Sequence, residues 1–247
     1  MSPLKYIPER YKSKLRHQLM PKIDPSQIQT ITKNTPRSNK VLLLVEIRPQ
    51  INIDLYVKQH MQFAPGWDSV VVTSSRNAHV QSVCDHVLII PDNWANTYRR
   101  YQNLMCYPVI WKALLDLGYK TALCYQTDTR LLRTGVDLFT NWDWVGAPWP
   151  EETLKDSGGV GSNGGLSIRN IDYMHQVASQ FKWAGEGEDM FFVKHMHGLG
   201  AKIAPTSVCE QFSCECFFKL GTLGCHAIQR YMTPTQIEQI LTQYSKP

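Results

Sequence analysis

The chain alternates short apolar runs with longer stretches of mixed polarity. Val41 to Ile47 (Val-Leu-Leu-Leu-Val-Glu-Ile) is apolar and rich in branched residues, which predicts a buried strand of a mostly parallel sheet. A helical stretch from Asn52 to Phe63 follows, Pro65-Gly66 makes a turn, and Ser69 to Thr73 reads as the second strand. Val87 to Ile90 is a third strand, and Asn96 to Leu117 is long enough for one or two helices around Pro108. Lys120 to Tyr125 is the next buried strand, and it delivers Gln126-Thr127-Asp128 to its carboxyl end. Beyond lie Trp144 to Ala147, a Gly-rich loop from Gly158 to Gly165, a strand from Leu166 to Arg169 and a helix to about Phe181. A helix from Glu188 to about Gly198 and an amphipathic closing helix from Pro234 to Tyr244 complete the pattern.

This alternation predicts an α/β fold with a doubly wound sheet and ligands bound at the carboxyl ends of its strands. The length of 247 residues, 43% of them hydrophobic, fits one such domain over residues 41–247 and leaves no room for a second. Residues 1–40 read differently: Lys5, Arg10, Lys12, Lys14, Arg16 and Lys22 are interspersed with Pro3, Pro8, Pro21, Pro25 and Pro36. They predict a basic arm lying on the domain, or offering a peripheral contact to a partner or anionic lipid.

The formal charge of +5 is modest and the basic residues are balanced by 21 acids, so no nucleic-acid partner is expected. Seven Cys is an odd count, scattered through core-like segments (Cys84, Cys106, Cys124) and a late group (Cys209, Cys214, Cys216, Cys225). A reduced compartment is the simplest reading. No apolar run approaches the ~20 residues of a membrane span, and no apolar signal core follows Met1, so the expected location is cytoplasmic.

Candidate chemistry begins at Asp128, an acid just past an apolar strand. Alone, such an Asp is as readily a cap or turn residue. Gly158 to Gly165 lacks the Gly-Lys-Ser/Thr ending of a phosphate loop, though its backbone can approach a ligand closely. Glu188 and Asp189 open a helix, where the dipole favours carboxylates and would hold Asp189 ionised. Trp144, Trp149 and Trp183 offer faces for sugar rings or ordinary core, with Trp149 the best acceptor platform.

Five blocks stand in order: Gln126-Thr127-Asp128, Gly146-Ala147-Pro148-Trp149, Gly161 to Arg169, Glu188-Asp189-Met190-Phe191-Phe192 and Phe212-Ser213-Cys214-Glu215. With the opening Val45-Glu46-Ile47-Arg48-Pro49, they resemble a glycosyltransferase-like family of GT-A fold found in microbes, fungi and large DNA viruses. The resemblance runs from about residue 41 to 228 and implies a nucleoside diphosphate sugar donor, with UDP favoured and GDP or dTDP open. It implies a glycan or other hydroxyl acceptor and a divalent cation, Mn²⁺ or Mg²⁺. A hard cation suits the task because the departing diphosphate gathers negative charge.

By the same resemblance, Asp128 matches the second acid of an Asp-x-Asp motif and His226 the late histidine that completes a metal site. Gln126 replaces the first acid, which removes a charge and weakens the expected metal affinity. Asn163, Gly164 and Gly165 are implied to line the donor-sugar pocket, with the preceding loop ordering over substrate. Asp189 is implied to be the general base of an inverting transfer, with Glu188 as its support. Glu46, Arg48, Thr73, Ser74 and Arg76, after the first two strands, fall where base and ribose should lie, and Arg99 or Arg100 would reach a phosphate. Two readings compete: a degenerate domain that binds sugar nucleotide or glycan without turnover, and a zinc-stapled interaction module built on Cys209, Cys214, Cys216 and Cys225.

Overall fold

The computed structural model describes residues 24–94 and 98–244. The basic positions from Lys5 to Lys22 lie outside the described residues. Strand β1 (Gln29–Thr32) leads into β2 (Lys40–Glu46), α1 (Ile53–Phe63), β3 (Asp68–Ser74) and β4 (His86–Ile90). Helices α2 (Tyr98–Met105) and α3 (Pro108–Asp116) precede β5 (Thr121–Tyr125) and β6 (Thr129–Leu131). Next come β7 (Trp144–Pro148), α4 (Glu151–Asp156), β8 (Ser162–Asn170), α5 (Ile171–Gln180) and α6 (Glu188–Gly198). The chain closes through α7 (Thr206–Phe212), β9 (Ser213–Cys214), β10 (Gly224–His226) and α8 (Pro234–Thr242).

A large central sheet has the order β1-β4-β3-β2-β5-β8-β7. Strands β2, β3, β4 and β5 are parallel, β7 shares their direction, and β1 and β8 run against them. The fold is therefore mixed α/β with a mostly parallel central sheet. Both faces are covered, because successive side chains of a strand point to opposite sides. Val41, Leu43 and Val45 of β2 enter one core with residues of α3, α5 and α6, whereas Leu42 and Leu44 enter a second core with residues of α1 and α7. Continuous apolar runs are what a strand buried on both faces requires.

Three features depart from the sequence expectations. Gln29–Thr32, assigned above to the arm, pairs antiparallel with β4 as an edge strand. A second small sheet, β6-β10-β9, accompanies the central one. Strands of two or three residues carry no readable periodicity, so nothing announced it. Finally, Ser162 to Gly165 belong to β8 rather than to a flexible loop. Their glycines are needed where they stand: a Cβ on Gly164 would run into the Glu188 and Arg169 side chains, and one on Gly165 would overlap the His226 ring.

From β2 the chain winds outward through β3 and β4, then crosses back to lay β5 on the other side of β2. The connections leaving β2 and β5 diverge, which opens a crevice at their carboxyl ends. The amino ends of the strands are closed instead. Asp68 accepts from the backbone N–H of Arg37 at 2.9 Å, from Arg37 Nε at 2.9 Å and from the Tyr119 hydroxyl at 3.3 Å. Asp85 accepts from Ser69 N at 2.9 Å and from Asn34 Nδ2 at 2.8 Å. Together they tie the segment after β1 to the main sheet.

Asp68→Ala leaves the buried Tyr119 hydroxyl without its acceptor and is expected to lose about 2 kcal/mol of stability, as read by urea denaturation.

Candidate functional site

Two adjoining pockets occupy the crevice. The first, of about 320 Å³, is lined by Val45, Glu46, Ile47 and Arg48 after β2, by Gln126, Thr127 and Asp128 after β5, and by Tyr101 and Arg230. The second, of about 200 Å³, is lined by Asn163 and Gly165 of β8, Glu188 and Asp189 of α6, Glu215, His226 and Tyr231, with Gln102. Tyr101, Gln126 and Arg230 border both pockets and so mark the seam between them.

The wall of the first pocket is held by hydrogen bonds that start at Asn77. Its amide donates to the carbonyl of Arg48 at 2.7 Å and to Thr73 Oγ1 at 2.9 Å, and its oxygen accepts from Gln50 N at 2.9 Å. Thr73 Oγ1 donates to the carbonyl of Glu46 at 2.6 Å. The Glu46 carboxylate is clamped by Arg48, which donates from its backbone N at 2.8 Å, from Nε at 2.9 Å and from a terminal guanidinium nitrogen at 2.6 Å.

Asp128 and His226 come together at the seam. Asp128 Oδ1 lies 3.4 Å from His226 Nε2, and Gln126 Oε1 lies 3.3 Å from the same nitrogen. On the other side of the ring, Nδ1 stands 3.3 Å from Glu215 Oε1, and Glu215 Oε2 is buried without a hydrogen-bond partner. The small sheet produces this arrangement: β10 pairs with β6 just past Asp128 and with β9 just before Glu215. Burial alone would lower the His226 pKa, but hydrogen bonds and charge from Asp128 and Glu215 lift it to about 9. Burial would likewise raise the Asp128 carboxyl, yet His226 and Arg230 hold it below its ordinary value. Arg230 donates to Asp128 Oδ2 at 3.2 Å.

The second pocket is built on a buried ion pair. Arg169 of β8 is fully buried, and its two terminal nitrogens meet the two oxygens of Glu188 at 2.8 Å each. The guanidinium also donates to Ser167 Oγ at 2.9 Å and to the carbonyl of Gly164 at 2.8 Å, and it lies over the Trp144 ring. Glu188 is therefore saturated, and its effect on Asp189 is one of charge. Burial and the Glu188 charge push the Asp189 carboxyl up to about 6, the reverse of the expected dipole effect. Its backbone partners, Met190 N at 2.9 Å and Gly164 N at 3.3 Å, do not offset this. Asp189 is still ionised at neutral pH. Gly165 passes directly under His226, where any Cβ would overlap the imidazole, and Asn163 Oδ1 accepts from Gly165 N at 2.7 Å.

Other expected residues lie elsewhere. Thr73 is buried behind the first pocket and props the end of β2, buried Ser74 ends β3, and exposed Arg76 lines neither pocket. Gly164 packs its α-carbon against Glu188 and Arg169. Trp149, expected as an acceptor platform, is core, as is Trp144, because both rings turn away from the crevice into the first hydrophobic cluster. Half-buried Trp183 donates to the carbonyl of Glu186 at 3.0 Å. The side chains of Arg99 and Arg100 lie outside the described residues. The four late cysteines do not converge: Cys209 packs in the second core, while Cys214 and Cys225 sit together under α8. All seven thiols are free. Among the described residues no helix is long and apolar enough to cross a membrane.

Sequence reasoning gave no role to Asn77, Tyr101, Arg169, Glu215, Arg230 or Tyr231. Arg169 and Glu215 stood inside the quoted blocks, so the signal was present. Asn77, Tyr101 and Arg230 belong to no pattern and are found only through their contacts.

Because His226 gains its proton affinity from two carboxylates, its contribution to stability is complete below the ordinary imidazole value and lost as pH rises through about 9. Glu215→Gln removes one of those charges and is expected to move the His226 titration, followed by NMR, at least one unit toward neutrality.

The model of one protein family, described as protein of unknown function (DUF5672), matches residues 86–226, more than half of the 247-residue chain. That span runs from β4 to β10 and includes Asp128, Glu188, Asp189 and His226. No curated protein matches the sequence. With the matched span covering more than half of the chain and most of the second pocket, the chain belongs to the DUF5672 family.

Proposed function

We propose that this chain is a glycosyltransferase of GT-A type that moves a sugar from a nucleoside diphosphate sugar, with UDP the favoured nucleotide, to a hydroxyl acceptor. The observation that carries the reading is the meeting of Asp128 and His226 at the seam of two pockets, one with an apolar wall and one lined by carboxylates. Such a seam suits a bond that must break between a nucleotide and a sugar.

In this reading the first pocket takes the nucleoside. Val45 and Ile47 offer apolar surface, and Glu46, held by Arg48, accepts from a ribose hydroxyl. The donor sugar lies in the second pocket, beside Asn163 and Gly165. Among the described residues no three His, Cys, Asp or Glu side chains are set to hold a metal ion. Asp128 and His226 supply two donor atoms 3.4 Å apart, with the Gln126 amide oxygen near the second. Were a cation of the Mn²⁺ or Mg²⁺ kind bound with the donor, these residues would hold it. Its chemistry is to neutralise the diphosphate as it leaves. His226 ligates only after losing its proton, so affinity for the cation rises with pH toward about 9.

Asp189 receives the acceptor's hydroxyl proton. The acceptor oxygen forms its bond to the anomeric carbon, the bond from that carbon to the phosphate oxygen breaks, and the electron pair departs with the nucleoside diphosphate. Attack opposite the leaving group inverts the configuration. A second reading, binding without turnover, draws on Gln126, which brings no charge where the related motif has an acid.

A panel of nucleotide sugars, with and without Mn²⁺, tests the proposal. Metal-stimulated transfer or hydrolysis of at least one donor is expected, with Asp128→Ala abolishing the stimulation. Asp189→Asn should lower kcat by about 10²-fold or more while leaving donor KM little changed. The parent rate should rise as pH passes about 6 and lose that step in the variant. Donor binding with no turnover supports the second reading. No binding to any donor overturns both.

A further inference from the structure

We infer that Arg230 is the side chain that grips the diphosphate of the donor, and that its ion pair with Asp128 is its resting position in the absence of ligand. The inference rests on the nucleotide-sugar reading and adds to it the group that binds the leaving anion.

Arg230 borders both pockets, at the place where the diphosphate of a bound donor has to sit. Among the arginines whose side chains are described, the others near the crevice are committed. Arg48 is clamped on Glu46 through three bonds, and Arg169 is fully buried against Glu188. Arg76 lines neither pocket. The side chain of Arg230 is 62% exposed, and one terminal nitrogen meets one oxygen of Asp128. A guanidinium carries five N–H donors in a planar fork, so this contact leaves an edge that matches two phosphate oxygens.

The backbone is shaped to bring it there. Ala227 has φ 48°, the one positive value outside glycine among the described residues. Such a conformation is unfavourable for alanine and persists only where the surroundings impose it. Here the N–H of Ala227 donates to the carbonyl of Asp128 at 3.0 Å, and the kink turns the chain from β10 into the short 3-10 turn Ile228–Arg230. His226 and Arg230 thereby face the same carboxylate from opposite sides, one on each of its oxygens. Asp128 cannot serve Arg230 and a further cation equally well. When Asp128 is engaged elsewhere, the guanidinium is released toward the pocket it already borders.

The test uses the full chain and the variants Arg230→Gln and Arg230→Lys, with UDP and uridine as calorimetric probes in the presence of chelator. Arg230→Gln is expected to bind UDP at least tenfold more weakly, to bind uridine as the parent does, and to show a shallower salt dependence for UDP. Arg230→Lys should fall between them, because it keeps the charge and loses the fork. Free Mn²⁺, followed by its paramagnetic resonance without nucleotide, should bind Arg230→Gln at least as tightly as the parent, since a competitor for Asp128 is gone. Equal weakening of UDP and uridine overturns the inference in favour of a structural role. A parent that binds UDP, with Arg230→Gln unchanged, overturns the inference alone. A parent that binds UDP only when Mn²⁺ replaces the chelator, with Arg230→Gln binding equally under that condition, overturns the inference alone. A parent that binds no nucleoside diphosphate with or without Mn²⁺ overturns the nucleotide-sugar reading and this inference with it.

Discussion

The second pocket depends on a single buried ion pair. Arg169 stands next to the last residue of β8, out of reach of water, and a charge in that position is tolerable only if its nitrogens find partners. Glu188, Ser167 and the Gly164 carbonyl supply those partners, and Trp144 covers the guanidinium. Because Glu188 is the first residue of α6, satisfying Arg169 also fixes where that helix begins and which way Asp189 faces. A hydrophobic pair of similar volume would pack as well. It would not set the helix start, and it would remove the negative charge that raises Asp189.

The seam shows a second constraint, the limited number of positive groups available to Asp128. Its carboxylate lies between His226 and Arg230, and the His226 ring lies between Asp128 and Glu215. Charges alternate along this row, so each neighbour stabilises the next. With Gln126 in place of an acid, the row carries one fewer negative charge, and the amide oxygen still faces the ring. The row thus sets two acids, Asp128 and Glu215, against the His226 ring and the Arg230 guanidinium. The site is therefore close to electrically satisfied before any ligand enters.

Legibility in the sequence followed the physics of each element. Apolar runs at their centres announced β2, β3 and β5, since a strand buried on both faces turns successive side chains into core on either side. The Glu188 to Gly198 helix was readable from end to end, its start set by the acids in its first turn. The short strands β6, β9 and β10 were not readable, because two or three residues cannot display a period and their pairing is with distant segments. Those strands carry His226 to Asp128. The glycines of β8 misled for a related reason: local preference reads Gly as loop, whereas here close approach to Glu188 and Arg169 and beneath His226 demands it.

By itself the sequence determined which segments are buried, how strands and helices alternate and at which strand end an acid emerges, because hydrophobic periodicity and turn chemistry are local properties. Only the tertiary structure decided that Glu188 belongs to Arg169, that Trp149 is core, that Thr73 is a prop and that Arg230 faces Asp128. Those are questions of which distant groups share a low-dielectric space, and a one-dimensional pattern holds no distances between them.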